Sequence, residues 1–203
     1  MVIWLVISAI IGYLLGSANS SLIVGKFYGI DIRKHGSGNA GTTNTLRTLG
    51  KKAALFVLMG DLLKGVLAYL AGYYITGNAL GGMIGGTATI FGHVWPVFFG
   101  FKGGKGVLTT LAVLLMMDWF TALILLGLFI IIVALTRYVS LGSIVGAALF
   151  PIVSIILGRN IENIIISALI AMLIIIMHRS NIKRLLNGSE SKLGAKKKAI
   201  DNG

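Results

Sequence analysis

The sequence predicts an all-α integral membrane protein with seven transmembrane helices, its N-terminus outside and its C-terminus in the cytoplasm. Of the 203 residues, 56% are apolar and only 12% are charged, whereas soluble domains carry about 25% charged residues. The apolar runs are continuous, which favours helices over a membrane β-barrel. Lysine and arginine concentrate in short polar loops and in the tail. The positive-inside rule places those segments in the cytoplasm.

The first three spans are predicted at residues 2–23, 53–75 and 79–98. The first has an apolar core with no basic segment before it, so we expect a span and not a cleaved signal peptide. Residues 25–52 separate the first two spans and form the most polar stretch before the tail. The third span contains overlapping GxxxG patterns, which predict close contact with a neighbouring helix.

The next apolar run, residues 107–136, is broken only by Asp118. One span needs about 20 residues and two need about 40, so length alone does not decide the number of spans. A single span would put Arg137 and the basic tail outside, against the positive-inside rule. We therefore predict two short spans with an outer turn at Asp118. The last two spans follow at residues 141–157 and 161–177.

Residues 1–190 are expected to form one membrane domain and residues 191–203 a polar, disordered cytoplasmic tail. The net charge of +12 would suggest nucleic acid in a soluble protein, but here the basic residues lie where lipid headgroups are expected. No nucleic-acid partner is therefore expected. The tail includes a cluster of Lys196, Lys197 and Lys198, which we assign to the headgroup surface.

Composition also limits the chemistry. The chain has no cysteine, so disulfides, thiol nucleophiles and cysteine metal sites are excluded. Its three histidines, His35, His93 and His178, fall in no metal-binding motif, so we expect neither a metal nor another cofactor.

A glycine-rich stretch, FFGFKGGKG at residues 98–106, carries Lys102 and Lys105 and precedes an apolar run. Glycines allow backbone N–H groups to face an anion, and the lysines and the positive end of the following helix add charge. This pattern suits a phosphate at a membrane face. Glycine follows Lys105 where a Walker A loop needs serine or threonine, so a nucleotide site is not indicated. The alternative is a plain turn with lysines at the headgroup level.

A second glycine-rich stretch, GSGNAG at residues 36–41, matches G-x-G-x-x-G literally. A dinucleotide site would need a βαβ unit around it, which two membrane spans do not provide. We interpret it as an anion-binding loop, with an ordinary Gly/Ser/Asn turn as the alternative. Its hydrogen-bonding groups are Ser37, Asn39, Thr42, Thr43 and Asn44, and Arg47 is its cation.

Ionisable residues also occur within or at the ends of the spans. Asp61 and Lys64 are three residues apart, so they share one helix face. They lie about 12 Å into the second span, and we favour a neutralising structural pair over a functional role. His93, near the inner end of the third span, fits a core position as well as a site. His178 and Asn181 mark the cytoplasmic end of the last span, as caps or as site residues.

Five motifs together resemble the membrane-bound acyl-phosphate:glycerol-3-phosphate acyltransferases of bacteria, the PlsY family. The resemblance runs from the first span to about Glu190. Small departures occur at Thr42 and Leu108, where the family commonly has alanine. The motifs are GSGNAGTTN (36–44), GDLLKG (60–65), GHVWPVFFGFKGGKGV (92–107), RYVSLGS (137–143) and HRSNIKRLLNGSE (178–190).

The resemblance implies transfer of a fatty acyl group from acyl phosphate to the sn-1 hydroxyl of glycerol 3-phosphate. The products would be lysophosphatidic acid and phosphate, in the first acylation step of phospholipid synthesis. It further implies a multi-pass protein of the bacterial inner membrane with a cytoplasmic active site. The enzyme that produces acyl phosphate is then a candidate partner beside the substrates and the bilayer. The alternative class is an anion transporter, which the absence of inverted repeats in the hydropathy disfavours.

The resemblance and the residue chemistry together give a predicted site. Ser37 is either a nucleophile with His178 as its base, or a hydrogen-bonding group while the acceptor hydroxyl attacks directly. We favour direct attack because an acyl phosphate is already activated. The predicted catalytic residues are Ser37, His178 and Asn181. The predicted substrate-binding residues are Gly36, Gly38, Asn39, Asn44, Arg47, His93, Lys102, Gly103, Gly104, Lys105, Gly106, Arg137, Ser140 and Ser143.

Overall fold

The computed structural model describes residues 1–194, and every regular element in that range is helical. The all-α prediction is therefore confirmed. The α-helices are α1 Val2–Ser17, α2 Ser20–Phe27, α3 Thr42–Leu49, α4 Lys51–Thr76, α5 Ala79–Val94, α6 Val107–Met117, α7 Trp119–Thr136, α8 Val139–Ile156, α9 Ile161–Met177 and α10 Arg179–Leu186. Short 3₁₀ helices occupy Ile32–Lys34 and Val97–Phe99.

Several of these helices have the length and apolarity of membrane spans. Four stretches qualify individually: Val2–Phe27, Lys51–Thr76, Trp119–Thr136 and Val139–Ile156. A fifth qualifies if α9 and α10, bent by 59° at their junction, are counted together. The remaining apolar helices, α5 with 16 residues and α6 with 11, are short. Seven spans and their orientation thus stay a prediction.

The structure divides the chain differently from the sequence prediction at two places. The predicted first span is broken after α1, because Asn19 caps α2 by accepting a hydrogen bond from Leu22 N–H at 3.2 Å. An eight-residue helix, α3, forms within the stretch that was expected to be loop. The predicted break at Asp118 is confirmed, since α6 ends at Met117 and the Asp118 carboxylate caps α7.

Small residues bring α5 against its neighbours, as the GxxxG patterns predicted. A Cβ added to Gly12 of α1 would overlap the backbone of Gly85, and the Thr89 hydroxyl donates to the Gly12 carbonyl. On another side, a Cβ on Gly72 of α4 would overlap the backbone of Gly81. These contacts leave no room for side chains between the backbones. α5 is thereby fixed between α1 and α4.

The two ends of the helix bundle differ in their polar contacts. At the end that holds the α6–α7 and α8–α9 turns, the Arg159 guanidinium donates to Asp118 at 2.9 Å. The other end carries both glycine-rich loops, α3, α10 and the start of the tail. Within the predicted tail, Ser191 O accepts from Arg47 at 3.0 Å and Leu193 N–H donates to Arg137 O at 2.7 Å. The lysine cluster predicted at the headgroup surface lies outside the described residues, and the domain division at 190 stays a prediction.

Candidate active site

A cavity of about 570 Å³ opens at the end of the bundle that carries the glycine-rich loops. Ligand pockets usually measure about 300–1,000 Å³, so it has room for a small metabolite and part of a chain. Twelve of the predicted site residues line it: Gly36, Ser37, Asn39, Asn44, Arg47, His93, Lys105, Gly106, Ser140, Ser143, His178 and Asn181. Five do not: Gly38, Lys102, Gly103, Gly104 and Arg137.

The first glycine-rich loop is held by the side chain of Asn44. Its amide nitrogen donates to the carbonyls of Ile32 at 3.1 Å and His35 at 2.9 Å, and its oxygen accepts from Ser37 N–H at 2.8 Å. Gly36 has a φ of +60°, and a Cβ there would overlap the Asn44 oxygen. Asn44 therefore shapes the loop, and its amide groups are engaged by backbone rather than free for a ligand.

Ser37 is presented to the cavity by this loop. The residue is exposed, and no hydrogen bond within residues 1–194 engages its hydroxyl. Arg47, one turn into α3 from the loop, also lines the cavity while donating to Ser191 O. The loop and the start of α3 thus offer the cavity the hydroxyls of Ser37 and Thr42, which have no partner within residues 1–194, and the cation of Arg47. These are the groups expected of an anion site.

The second glycine-rich loop differs from the expectation. The N–H groups of Gly103 and Gly104 donate to the carbonyls of Val94 and His93, each at 3.1 Å, so they do not face an anion. A Cβ on Gly103 would overlap His93 O, and one on Gly104 would overlap His93 Nε2 and Ala40 O. The glycines are needed because the loop packs against the end of α5. The predicted role of these two N–H groups in holding phosphate was wrong.

Packing of the second loop separates its two lysines. Lys102 is exposed and lies outside the cavity, while its carbonyl accepts from Arg33 at 3.2 Å. Arg33 also pairs with Asp31 at 2.9 Å and donates to Phe99 O, so it ties the two loops together. Arg137 has a φ of +64° and directs its guanidinium to Leu193 O. Neither Lys102 nor Arg137 reaches the cavity.

Lys105 enters the cavity and begins a chain of polar contacts. Its ammonium donates to Asn181 Oδ1, and Asn181 Nδ2 donates to Glu190 Oε1 at 2.7 Å. Glu190 also accepts from Ser140 Oγ at 2.7 Å and from Arg184 Nε at 2.6 Å. The contacts join the second loop, α8, α10 and the start of the tail. Below, Lys105, Asn181 and Glu190 are called the rim cluster.

The charges in the rim cluster follow from burial and hydrogen bonding. Burial is the largest cause that lowers the pKa of Lys105, to about 8, although Glu190 opposes it. For Glu190 burial raises the pKa, but hydrogen bonds from Ser140, Asn181 and Arg184 outweigh it, and the pKa lies below its usual value. At neutral pH the cluster thus keeps an ionised carboxylate and a cationic lysine.

His178 lies at the junction of α9 and α10 and is 2% exposed. Its Nδ1 is 2.8 Å from the carbonyl oxygen of Ile174. A carbonyl only accepts, so Nδ1 carries the proton and Nε2 of the neutral ring is an acceptor. The ring therefore can accept a hydrogen bond from a hydroxyl in the cavity.

Asp61, Lys64 and His93 form a buried group at the base of the cavity, called the floor cluster below. Lys64 Nζ lies 2.9 Å from Asp61 Oδ1, which confirms the predicted ion pair. It also lies 2.8 Å from His93 Nδ1, and both Asp61 and His93 line the cavity. The pair therefore adjoins the site, a feature that its sequence spacing did not indicate.

The N-termini of three helices converge on the cavity, and that of α4 is not among them. The cavity is lined by Gly106 before α6 and by Val139 and Ser140 at the start of α8. The third start is that of α3, through Thr42 and Thr43, because α4 faces the cavity only from its middle. The positive ends of α3, α6 and α8 favour anions there.

The cavity also has an apolar wall, and sequence reasoning missed several of its residues. Side chains from four helices form the wall: Leu58, Val107, Leu108, Phe129, Val133 and Val139. Among polar residues, the prediction omitted Asp61, Arg184, Glu190 and Ser191, and it named Thr42 and Thr43 only as hydrogen-bonding groups of the first loop. Glu190 and Arg184 fall within the last of the five motifs, which was the one available signal for them.

Proteins of similar sequence agree with the resemblance that the five motifs indicate. The family model described as "Glycerol-3-phosphate acyltransferase" matches residues 6–188. A glycerol-3-phosphate acyltransferase of Thermoanaerobacter sp. (strain X514) is 50% identical, with 94% of this chain and 96% of the relative covered. One of Clostridioides difficile (strain 630) is 45% identical, with 95% and 97% covered.

Two solved structures are similar as well. Both are crystal structures of PlsY (YgiH), an integral membrane glycerol 3-phosphate acyltransferase. The glycerol 3-phosphate form aligns with a TM-score of 0.88 and 37% identity, covering 94% of this chain and 96% of that one. The lysophosphatidic acid form aligns with a TM-score of 0.84 and 36% identity, covering 93% and 94%.

Proposed function

This chain belongs to the glycerol-3-phosphate acyltransferase family, and from that premise we propose that it uses acyl phosphate as its donor. The fatty acyl group is transferred to the sn-1 hydroxyl of glycerol 3-phosphate, which gives lysophosphatidic acid and phosphate. The observation that carries the proposal is one cavity with a cationic polar rim and an apolar wall. The reaction needs both, because each substrate carries a phosphate and one also carries a fatty chain.

Glycerol 3-phosphate is assigned to the rim. Lys105 and Arg47 line the cavity as cations, and the α6 and α8 N-termini add positive potential. His178 Nε2 can accept a hydrogen bond from a hydroxyl of glycerol 3-phosphate and so helps to orient it. Asn181 is held between Lys105 and Glu190, so it keeps the lysine in place. These contacts orient the acceptor without any covalent bond to the protein.

The donor lies with its chain against the apolar wall and its phosphoryl end near the first glycine-rich loop. In the proposed reaction the hydroxyl oxygen bonds to the acyl carbonyl carbon, and the bond from that carbon to the phosphate oxygen breaks. The hydroxyl proton passes to a phosphate dianion. Ser37, whose hydroxyl has no protein partner within residues 1–194, donates a hydrogen bond to the donor's phosphate or to the developing oxyanion.

Turnover in detergent tests the proposal and separates transfer from transport, since no membrane is crossed. Purified protein mixed with acyl phosphate and glycerol 3-phosphate should give lysophosphatidic acid and phosphate in a 1:1 ratio. Acyl-CoA should give no product. Equal use of acyl-CoA, or no lysophosphatidic acid from acyl phosphate, would refute the proposed donor.

The proposed setting is a bacterial inner membrane, with seven spans and the cavity facing the cytoplasm. The distribution of lysine and arginine supports this orientation, since the loops at the cavity end hold most of them. The chain has no native cysteine, so a single introduced cysteine is the one thiol available for labelling. Cysteines at Asn78 or Asn160 should be labelled by an impermeant reagent in intact cells, and one at Ser189 should not. Labelling at Ser189 would show that the orientation is opposite to the one proposed.

A further inference from the structure

The floor cluster has a hydrogen-bonding arrangement that is not needed for a simple ion pair. Lys64 Nζ is surrounded by three acceptors from three helices: Gly16 O of α1 at 3.3 Å, Asp61 Oδ1 of α4 at 2.9 Å and His93 Nδ1 of α5 at 2.8 Å. An ammonium has three N–H donors and no acceptor. The contacts with Gly16 and His93 are hydrogen bonds, and the contact with Asp61 is an ion pair that neutralises the charge of the lysine.

The same geometry fixes the proton of His93. Because Lys64 is a donor only, Nδ1 must offer its lone pair, and the single ring proton is on Nε2. Thr109 Oγ1 and Asp61 Oδ1 each lie 3.5 Å from Nδ1, too far to replace the lysine contact at 2.8 Å. His93 is 3% exposed, so the choice of tautomer is made by the protein and not by water.

The other ring nitrogen lies where the two glycine-rich loops meet. A Cβ on Gly104 would overlap both His93 Nε2 and Ala40 O, so the ring edge borders the backbone of both loops. His93 lines the cavity, and its Nε2 has no hydrogen-bond partner within residues 1–194. An N–H that faces the cavity without a protein partner is free to donate to a ligand atom.

We propose that the Asp61–Lys64 pair fixes His93 as an Nε2–H donor to an anionic oxygen of the bound substrates. This inference rests on the proposed function. His93 contacts the reactants, whereas Asp61 and Lys64 are positioning residues that act through it. The anionic oxygen belongs either to a substrate phosphate or to the oxyanion that develops at the acyl carbonyl, and steady-state kinetics separates the two.

Nuclear magnetic resonance of ¹⁵N-histidine protein tests the tautomer without turnover, so its failure is distinct from failure of acyl transfer. The chain has only three histidines, and loss of one signal pair in His93→Gln assigns the ring. The expected result is a neutral ring with the proton on Nε2 and an Nε2 shift that moves when glycerol 3-phosphate or inorganic phosphate is added. A proton on Nδ1, or a doubly protonated ring, would overturn the proposal.

Two amide substitutions of different side-chain length test whether His93 Nε2–H is the donor. Glutamine can place an N–H₂ near the Nε2 position, whereas asparagine reaches only the Nδ1 position. His93→Gln should keep activity within about tenfold, and His93→Asn should lose about 100-fold, the loss expected for one missing transition-state donor. A raised KM for glycerol 3-phosphate identifies the phosphate, and a fall in kcat alone identifies the oxyanion. Equal activities of the two variants would overturn the donor role.

Controls keep folding apart from function. His35→Gln is the matched substitution at an exposed ring and should match the wild type in activity. The double variant Asp61→Asn with Lys64→Met removes both charges together, so it should fold with a melting temperature near that of the wild type. It should lose about tenfold in kcat/KM, because the His93 tautomer is no longer fixed. Full activity in this folded variant would refute the positioning role.

Discussion

The floor cluster and the rim cluster each join a lysine to a carboxylate, yet they differ in what surrounds them. In the floor cluster Lys64 is 6% exposed and meets only protein acceptors from α1, α4 and α5. In the rim cluster Lys105 reaches Glu190 through Asn181, from a loop at the open cavity. The floor therefore holds helices in place, and the rim keeps a cation available to an anion.

The histidines of the two regions show the same contrast. His93 faces a lysine at Nδ1, so its Nε2 donates, whereas His178 faces the Ile174 carbonyl at Nδ1, so its Nε2 accepts. The partner at one nitrogen decides the role of the other. One histidine can thus donate to an anionic oxygen of the substrates, while the other accepts from a substrate hydroxyl.

The largest expected effect comes from a substitution in the floor cluster and appears in stability. Lys64→Met leaves the Asp61 carboxylate buried without its cation, which costs about 3–5 kcal/mol of stability. The melting temperature in detergent should fall sharply, and adding Asp61→Asn should restore most of it. A Lys64→Met protein as stable as the wild type would show that the pair does not hold the helices.

The next effect concerns the rim and should appear in activity. Lys105→Met removes a charge-assisted contact to phosphate and should lower kcat/KM for glycerol 3-phosphate by about 100-fold. Its melting temperature should change little. Lys102→Met is the matched substitution in the same loop outside the cavity, and its effect should be much smaller. Similar losses in both variants would contradict the distinction between the two lysines.

The pH dependence of kcat/KM also tests the role of Lys105. The pKa of Lys105 is lowered to about 8, so the ammonium is present below that pH and is lost above it. kcat/KM for glycerol 3-phosphate should therefore fall about tenfold per pH unit above about pH 8. Lys105→Arg should move the fall to higher pH, because a guanidinium stays charged. A wild-type profile flat to pH 10 would contradict an essential cationic Lys105.

The smallest expected effect is on chain selectivity at the apolar wall. Phe129 lines the cavity and would be 2.8 Å from a Cβ added to Gly142, so the wall is closely packed there. Phe129→Ala should shift the preference between acyl phosphates of different chain length by about threefold, the effect of a few methylene contacts. Competition assays with mixed donors measure it, and an unchanged product ratio would place the chain elsewhere.

Sequence patterns predicted the parts of this structure that depend on local composition. Continuous apolar runs gave the helices, and an acidic residue in the longest run predicted the break at Asp118. The break at Asn19 was missed. Its cap to Leu22 is local, but its side-chain amide also donates to His93 O, on a helix far along the chain. The eight-residue α3 was also missed, because its one apolar pair lies among polar residues.

The site residues were only partly predictable, because several of them meet through contacts between distant parts of the chain. Lys102 and Lys105 are equivalent in sequence, and only the packing of Gly103 and Gly104 against α5 separates them. Glu190 was omitted because its partners Ser140 and Asn181 are 50 and 9 residues away. Asp61 and Lys64 were correctly paired from their spacing, but His93, 29 residues from Lys64, joins them only in the folded bundle.

Direct attack by the acceptor hydroxyl is the central claim, and one experiment on the wild-type protein tests it. The protein is mixed with acyl phosphate alone, and phosphate release is followed by rapid quench while intact-protein mass spectrometry looks for an acyl adduct. We predict no stoichiometric burst of phosphate and no adduct, since direct attack forms no acyl-enzyme and no acceptor hydroxyl is present. A burst equal to the enzyme concentration, or an adduct mapped to Ser37, would contradict the claim and make Ser37 the nucleophile.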